Sequence, residues 1–389
     1  MKNLIFGITI ITFSLCFISC KKNSSQVSYE DQKSFSLVIE DSILVEYLGV
    51  LGVIDFNKEN NRYLAKDYNY DGQVFVVFDE QGTVINTFDN RIAGSNAYKG
   101  SLYGVGFHLD GYMIASGGGV YYYNEHWEVV DFVPDLNTTD TYYNYWHKLM
   151  RVNENGGDSY LFLYRGNEES RSLEGIDVYL ASPVFGRFDG EIFDHVFKTP
   201  KESIYVDPRY DFNLFVRCFA YSNYSRKFYF AFGSDPNLYR YDLEKDLIYP
   251  DTVINMNLEY YGMELSNFAA GRKEVFAGAL DSRVVNLLEA EGRVFIAYSS
   301  AVDHKKFIGR GFSYDNSPES MEYISQEKKF VFTIFEDGQN KLRDVDIKGK
   351  LGMPWYAFDK NTLLFSPWIR DESLNGEVFY KVKVVLDEE

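Results

Sequence analysis

Aromatic and β-branched residues fall along the chain in short runs, which clusters of Asp, Asn and Gly separate. Two stretches, VFVVFDEQGTV at 74–84 and VFTIFEDGQNKL at 331–342, each contain a five-residue apolar run, an acidic turn with Gly, and a second run. A third stretch, LYRYDLEKDLI at 238–248, keeps the strand, the acidic turn and the second strand. This pattern predicts β-hairpins within an all-β protein.

The hairpins are the outer two strands of four-stranded units, because apolar runs before each hairpin can supply two inner strands. The first four units are predicted at 43–54, 62–66, 74–78 and 83–88; at 102–107, 112–116, 120–123 and 127–133; at 145–152, 159–164, 176–182 and 192–197; and at 214–221, 227–232, 238–242 and 247–254. The fifth has strands at 283–288 and 293–299 and, after a long insertion, at 329–335 and 341–347. The stretch 280–291 fits either an amphipathic helix ended by Gly292 or a strand that enters a hairpin.

The last unit has only three strands, at 355–358, 362–366 and 378–385. The run FSLVI at 35–39 is predicted to supply the fourth and so to join the two ends of the chain in one ring. Closure of this kind removes exposed strand edges. We therefore predict a six-bladed β-propeller over residues 35–386; seven blades and a pair of β-sandwiches are the alternatives.

The N-terminus has the order of a secretory signal peptide: Lys2, an apolar stretch over 4–18, then Ser19 and Cys20. The apolar stretch has about 15 residues, whereas a membrane-spanning helix needs about 20. The run FISC resembles a lipobox. We predict that residues 1–19 are removed, that Cys20 carries lipid, and that the polar segment 20–34 is a flexible tether.

Together, the run FISC, the aromatic strands and the Asp-Gly turns resemble the six-bladed propeller lipoproteins of Bacteroidota, which have NHL-like blades and mostly unknown functions. The resemblance implies a propeller in the cell envelope and offers no catalytic residue. Lipoproteins that are kept at the inner membrane usually have an Asp just after the lipidated cysteine. This chain has Lys21 and Lys22 there, so the outer membrane is the predicted location. The periplasmic and the surface face both stay open.

Composition narrows the classes of function. A formal net charge of −18 argues against nucleic-acid binding, which depends on cations that neutralise phosphates. Motifs of serine hydrolases, metalloproteases and nucleotide-binding loops are missing, and the five histidines show no metal-ligand spacing. Cys218 is the one thiol left after processing, and its apolar surroundings predict a core position.

One short motif suggests calcium, the only cofactor with any support in the sequence. Asp67, Asn69 and Asp71 alternate before Gly72 like the first half of a calcium loop. The twelfth position is Phe78 instead of Glu, and a polar turn explains the same residues.

Loops that join the blades, and loops between second and third strands, are predicted to lie at one end of the channel. They are rich in aromatic and basic residues, and loops on a rigid scaffold commonly carry function. The candidate ligand residues are Tyr98, Tyr143, Arg209, Tyr210, Tyr261 and Arg310. Tyrosines that only pack loops together are the alternative.

The predicted function is that of a membrane-anchored, non-enzymatic binding module for a protein, peptide or glycan. The alternative is an envelope glycan hydrolase or lyase with a carboxylate pair in the channel.

Overall fold

In the computed structural model of the chain, the described residues form twenty-five strands, which pair into six antiparallel sheets. The structure describes residues 32–70, 73–134, 148–154, 157–163, 183–190, 193–206, 217–243, 249–262, 280–312, 317–336, 340–371 and 373–387. The sheets are the blades of a β-propeller, so the predicted six-bladed propeller is confirmed.

Blades 1 to 3 follow one another along the chain, each as a four-stranded meander. Blade 1 comprises β2 (Leu51–Asn57), β3 (Arg62–Asp67), β4 (Val74–Asp79) and β5 (Val84–Asp89). Blade 2 comprises β6 (Leu102–His108), β7 (Gly111–Ser116), β8 (Gly119–Tyr123) and β9 (Val129–Pro134). Blade 3 comprises β10 (Met150–Glu154), β11 (Gly157–Leu163), β12 (Pro183–Phe188) and β13 (Phe193–Lys198).

Blades 4 and 5 keep this order, and blade 6 takes its outer strand from the N-terminus. Blade 4 comprises β14 (Arg217–Ser222), β15 (Lys227–Phe232), β16 (Asn237–Asp242) and β17 (Thr252–Asn255). Blade 5 comprises β18 (Arg283–Ala290), β19 (Arg293–Ser299), β20 (Phe330–Glu336) and the short strands β21 (Asn340–Lys341) and β22 (Val345–Asp346). Blade 6 comprises β23 (Leu351–Ala357), β24 (Thr362–Pro367), β25 (Glu377–Leu386) and β1 (Phe35–Val45).

The ring closes where β1 pairs with β25, in a register that runs from Phe35 opposite Leu386 to Val45 opposite Glu377. This confirms the predicted closing strand, which continues beyond residue 39 to Val45. The single inner strand predicted at 43–54 is wrong, because Val45 ends β1 and β2 begins only at Leu51. The turn between these two strands leads the chain from blade 6 into blade 1.

Two further predictions need correction. The predicted strand at 176–182 lies outside the described residues, and the third strand of blade 3 is Pro183–Phe188. Within the stretch 280–291, Arg283–Ala290 form the strand β18, so the strand alternative is confirmed and the helix alternative is wrong. The insertion before β20 contains two helices that the pattern did not reveal, α1 (His304–Gly309) and α2 (Pro318–Glu327).

The hydrophobic core lies between neighbouring blades. Between blades 1 and 2, Phe75 stacks on Trp127 at 6.0 Å between ring centres, and Trp127 stacks on Tyr112 at 3.7 Å. Between blades 3 and 4, Phe185 meets Phe228 edge to face at 4.7 Å. These contacts explain the abundance of aromatic residues, because large flat side chains fill the space between two twisted sheets.

The predicted acidic turn in blade 1 and the predicted core position of Cys218 are both confirmed. The acidic turn after β4 is held by the Asp79 carboxylate, whose Oδ1 accepts hydrogen bonds from the backbone N–H groups of Gln81 and Thr83 at 3.0 and 2.9 Å. Cys218 is buried, as predicted. Within the described ranges, no helix is long and apolar enough to cross a membrane.

The closing strand gives a stability prediction. Ile43 is 2% exposed, whereas Val38 on the same strand is 46% exposed. We expect Ile43→Ala to lower the free energy of unfolding by about 2–5 kcal/mol, because it leaves a cavity in the core. Val38→Ala is the matched control and should cost less than about 0.5 kcal/mol. Equal urea-denaturation midpoints for the two variants would contradict the docking of β1.

Candidate functional site

A cavity of about 790 Å³ opens at one end of the central channel. All six blades contribute to its lining, mainly through the hairpins between their first and second strands. We call it the cup. Its size falls within the range of small-molecule sites.

The cup lies at the end of the channel opposite the loops that were predicted to bind a ligand. The first strand of each blade starts at an interblade connection and ends at its first hairpin, so these two sets of loops occupy opposite ends. Asn57, which ends β2, and Ala290, which ends β18, both line the cup.

Lys148 lies at the inner limit of the cup. It forms a parallel bridge with Val105, and it also lines a second cavity of only about 20 Å³ further along the channel. Trp355 and Leu287 line this small cavity, so the channel narrows steeply beyond Lys148. The Lys148 ammonium lies 5.9 Å from the centre of the Tyr356 ring, in cation–π range.

Asp55 faces Lys148 from blade 1. A bulge in β2 between Val53 and Asp55 turns the carboxylate toward the next blade, where its Oδ2 accepts a hydrogen bond from the Phe107 N–H at 2.8 Å. A Cβ at Gly106 would lie 3.1 Å from the same oxygen, which explains the glycine there. Burial raises the pKa of Asp55, against the opposing effects of the Phe107 hydrogen bond and the Lys148 charge.

Glu289 contributes a second carboxylate, from the end of β18. Its Oε1 accepts a hydrogen bond from the Gly292 N–H at 2.7 Å across the β18–β19 turn. Burial raises the pKa of Glu289, and the Glu291 charge acts in the same direction. Burial lowers the pKa of Lys148, while the charges of Asp55 and Glu289 act in the opposite direction. An ammonium thus lies within the fields of two carboxylates at the inner part of the cup.

The rim combines polar and apolar groups. Leu109 is 72% exposed and Tyr224 is 80% exposed, and both line the cavity. Arg151 forms an ion pair with Asp158 at 2.5 Å. The hydroxyl of Tyr160, another lining residue, lies 2.6 Å from the Nδ1 atom of His108.

Three of the sequence-predicted ligand residues are described, and none of them lines the cup. Tyr98 is 5% exposed and belongs to the core between blades 1 and 2. The Tyr261 hydroxyl donates a hydrogen bond to the Ser234 carbonyl at 2.7 Å. Arg310 is exposed and stacks 4.8 Å from the centre of the Tyr323 ring. The other three, Tyr143, Arg209 and Tyr210, lie outside the described residues.

The structure gives Asp67, the first residue of the calcium motif, a role in joining β1 to β2. It is fully buried, and its carboxylate accepts hydrogen bonds from the Tyr47 hydroxyl at 2.9 Å and the Asn69 N–H at 2.9 Å. Asp71 lies outside the described residues. Among the residues that are described, no group of three His, Cys, Asp or Glu side chains is arranged to hold a metal ion.

Sequence reasoning missed Asp55, Lys148, Glu289 and Tyr356. These residues are far apart in the chain and belong to four different blades. Asp55, Glu289 and Tyr356 lie near the ends of β2, β18 and β23, whereas Lys148 lies just before β10. One signal was present: GVGF at 104–107 has two glycines inside a predicted strand, which marks a close approach of another group.

Among solved structures, one supports the fold, and two others are similar at a lower level. A member of the DUF4221 family from Bacteroides vulgatus is 12% identical, with a TM-score of 0.62 over 92% of this chain and 100% of that chain. The Swd1 β-propeller domain of Myceliophteria thermophila Cps50 is 10% identical, with a TM-score of 0.41 over 90% and 99%. A gluconolactonase from Xanthomonas campestris is 9% identical, with a TM-score of 0.44 over 91% and 95%.

No protein-family model matches the chain, and no curated protein matches it. At 12% identity, the Bacteroides structure shows a shared fold alone. It agrees with the propeller implied by the resemblance to Bacteroidota proteins.

The charges in the cup give a prediction about ionisation. Lys148→Met should raise the pKa values of both Asp55 and Glu289, because the lysine charge lowers both. Carbon-detected NMR titration of the two carboxyl groups measures this. Lys350→Met removes an exposed lysine that does not line the cup and should leave both values unchanged. Unchanged values in Lys148→Met would place the ammonium elsewhere.

Proposed function

We propose that this protein is a membrane-anchored binding module that holds a protein, peptide or glycan partner in the cup. The single observation that supports this most is the cup itself, a cavity of about 790 Å³ to which every blade contributes. Ligand sites are typically concave, with apolar and aromatic walls and a few placed polar groups. Tyr356 and Phe358 supply such walls, and Asp55, Lys148 and Glu289 supply such polar groups.

The anchoring part of the proposal rests on the N-terminal sequence. A signal segment that ends at Ser19 and Cys20, followed by Lys21 and Lys22, supports lipid attachment at the outer membrane. A multiply acylated cysteine anchors durably, since each buried methylene contributes about 0.8 kcal/mol.

Lipid attachment has a direct test. Cys20→Ser should abolish incorporation of an alkynyl fatty-acid label and move the protein from the membrane fraction to the soluble fraction. Cys16→Ser is the matched control, because Cys16 lies within the predicted signal segment and should not affect labelling. Labelled Cys20→Ser protein would disprove attachment at this residue.

Partner binding is tested by affinity capture from the native envelope with variants of each end of the channel. The double variant Tyr224→Ala/Glu291→Gln changes the cup rim, and both residues are exposed, so folding should be unaffected. We expect the wild type and Arg310→Ala to retain the same stoichiometric partner and the rim variant to lose at least nine-tenths of it. Loss in Arg310→Ala alone would move the site to the predicted loops and refute the cup.

Catalysis is the second candidate, and one observation favours it. Asp55 and Glu289 both have raised pKa values, and such groups in a cavity are candidates for general acid and base. A panel of envelope polysaccharides tests this alternative. Turnover that disappears in Asp55→Asn and in Glu289→Gln would establish an enzyme, and its absence in wild type would leave binding as the function.

A further inference from the structure

The cup carries an excess of negative charge. Its lining carboxylates outnumber its lining cations five to three: Asp55, Glu59, Asp110, Glu289 and Glu291 against Lys58, Lys148 and Arg151. The chain as a whole also has a formal net charge of −18. A concave site with low-dielectric walls concentrates such a field.

The three cations are already engaged. The Arg151 guanidinium pairs with Asp158 at 2.5 Å. The Lys58 ammonium donates a hydrogen bond to the Phe358 carbonyl at 3.2 Å. Lys148 experiences the charges of both Asp55 and Glu289. These cations are partly neutralised or hydrogen-bonded within the protein, so the excess of carboxylates favours a cationic ligand over an anionic one.

Aromatic rings of the cup already receive ammonium groups of the protein itself. Lys148 Nζ lies 5.9 Å from the Tyr356 ring centre, and Lys381 Nζ lies 6.0 Å from the Phe358 ring centre. Both rings line the cup. The negative face of an aromatic ring attracts a cation, and carboxylates nearby strengthen the attraction.

The rim distinguishes a peptide from a free amine or a glycan. Leu109 and Tyr224 expose 72% and 80% of their surfaces beside the opening. Apolar residues next to a basic residue of a peptide could cover them, and burial of apolar surface is favourable. A hydroxyl-rich glycan leaves Leu109 without a matching apolar group.

From these contacts we infer that the partner is a basic peptide segment, with a lysine side chain inside the cup and apolar neighbours against Leu109 and Tyr224. This inference rests on the proposed function and specifies its ligand. Glu59, Asp110 and Glu291, the exposed carboxylates of the lining, would flank the ligand ammonium, because Asp55 and Glu289 already act on Lys148.

The test uses the blocked peptide acetyl-Ala-Leu-Lys-Leu-Ala-amide and its norleucine analogue, which keeps the four-carbon side chain but lacks the terminal ammonium. With the folded, unlipidated chain in isothermal titration calorimetry, we expect the lysine peptide to bind at least tenfold more tightly. Its affinity should fall in 0.5 M salt, since a Debye length of about 10 Å at 0.1 M shortens to about 4 Å there. It should also fall as the pH is lowered through the raised pKa values of Asp55 and Glu289, because protonation removes the attracting charges.

Variants locate the interaction. Glu291→Gln and Tyr224→Ala should each weaken the lysine peptide several-fold, whereas Glu322→Gln, an exposed carboxylate of α2 outside the cup, should not. Equal affinities for the two peptides would overturn the inference. If the rim variant loses a native partner but neither peptide binds, the basic-peptide ligand is wrong and the proposed function stands. If no partner depends on the rim, both fail.

Discussion

The structure depends on the burial of both faces of every sheet against the neighbouring blades. Each blade is an antiparallel sheet whose two faces carry apolar side chains, as in β4, where five consecutive residues from Val74 to Phe78 are buried. A sheet with two apolar faces is stable only between two neighbours, and a ring supplies them to every member. Burial of one Phe side chain contributes about 1.5–3 kcal/mol, so the interblade contacts dominate the favourable side of folding.

Ring closure follows from the same constraint, because an open row of blades would leave two apolar faces in water. The strand β1 ties the N-terminus to the C-terminal blade, and Gly82 shows how closely the joint is packed. A Cβ at Gly82 would lie 1.9 Å from the Leu44 carbonyl oxygen, and its φ of +82° also favours glycine. The acidic turn of blade 1 therefore fits against the closing strand only with this residue.

The repeat made the fold predictable. In hairpins such as 74–84, apolar composition indicates the strands, and Asp and Gly indicate the turn. The predicted bounds of most strands are therefore within a few residues of the observed ones. The errors fall where local pattern is uninformative. The apolar residues of 280–291 fit both the period of a helix and that of a strand, and only the pairing of β18 with β19 selects the strand. The helices α1 and α2 are too short to show a clear apolar stripe.

The candidate site was not predictable from the sequence, because it is assembled from single residues of separate blades that lie far apart in the chain. Asp55 looks like any acidic residue in a strand, and its role depends on a bulge that no propensity reveals. The predicted face was chosen for its tyrosines, but a tyrosine such as Tyr98 serves the interblade core. In a chain with 32 Tyr and 32 Phe, aromatic content does not separate a binding surface from a packing surface.

Two kinds of poorly solvated carboxylate occur among the described residues: one is satisfied by the fold alone, and the other also lines a cavity. Asp235 is fully buried and accepts hydrogen bonds from the Ser203 and Tyr239 hydroxyls at 2.6 and 2.7 Å, together with two backbone N–H groups. Such a group is satisfied by the fold and lines neither described cavity. Asp55 and Glu289 are held on one side by backbone N–H groups but line the cup on the other. The cost of keeping two carboxylates and a lysine in a poorly solvated channel is hard to explain by stability alone, since apolar residues would pack there equally well. Under the proposed function, a bound ligand would complete the solvation of these charged groups.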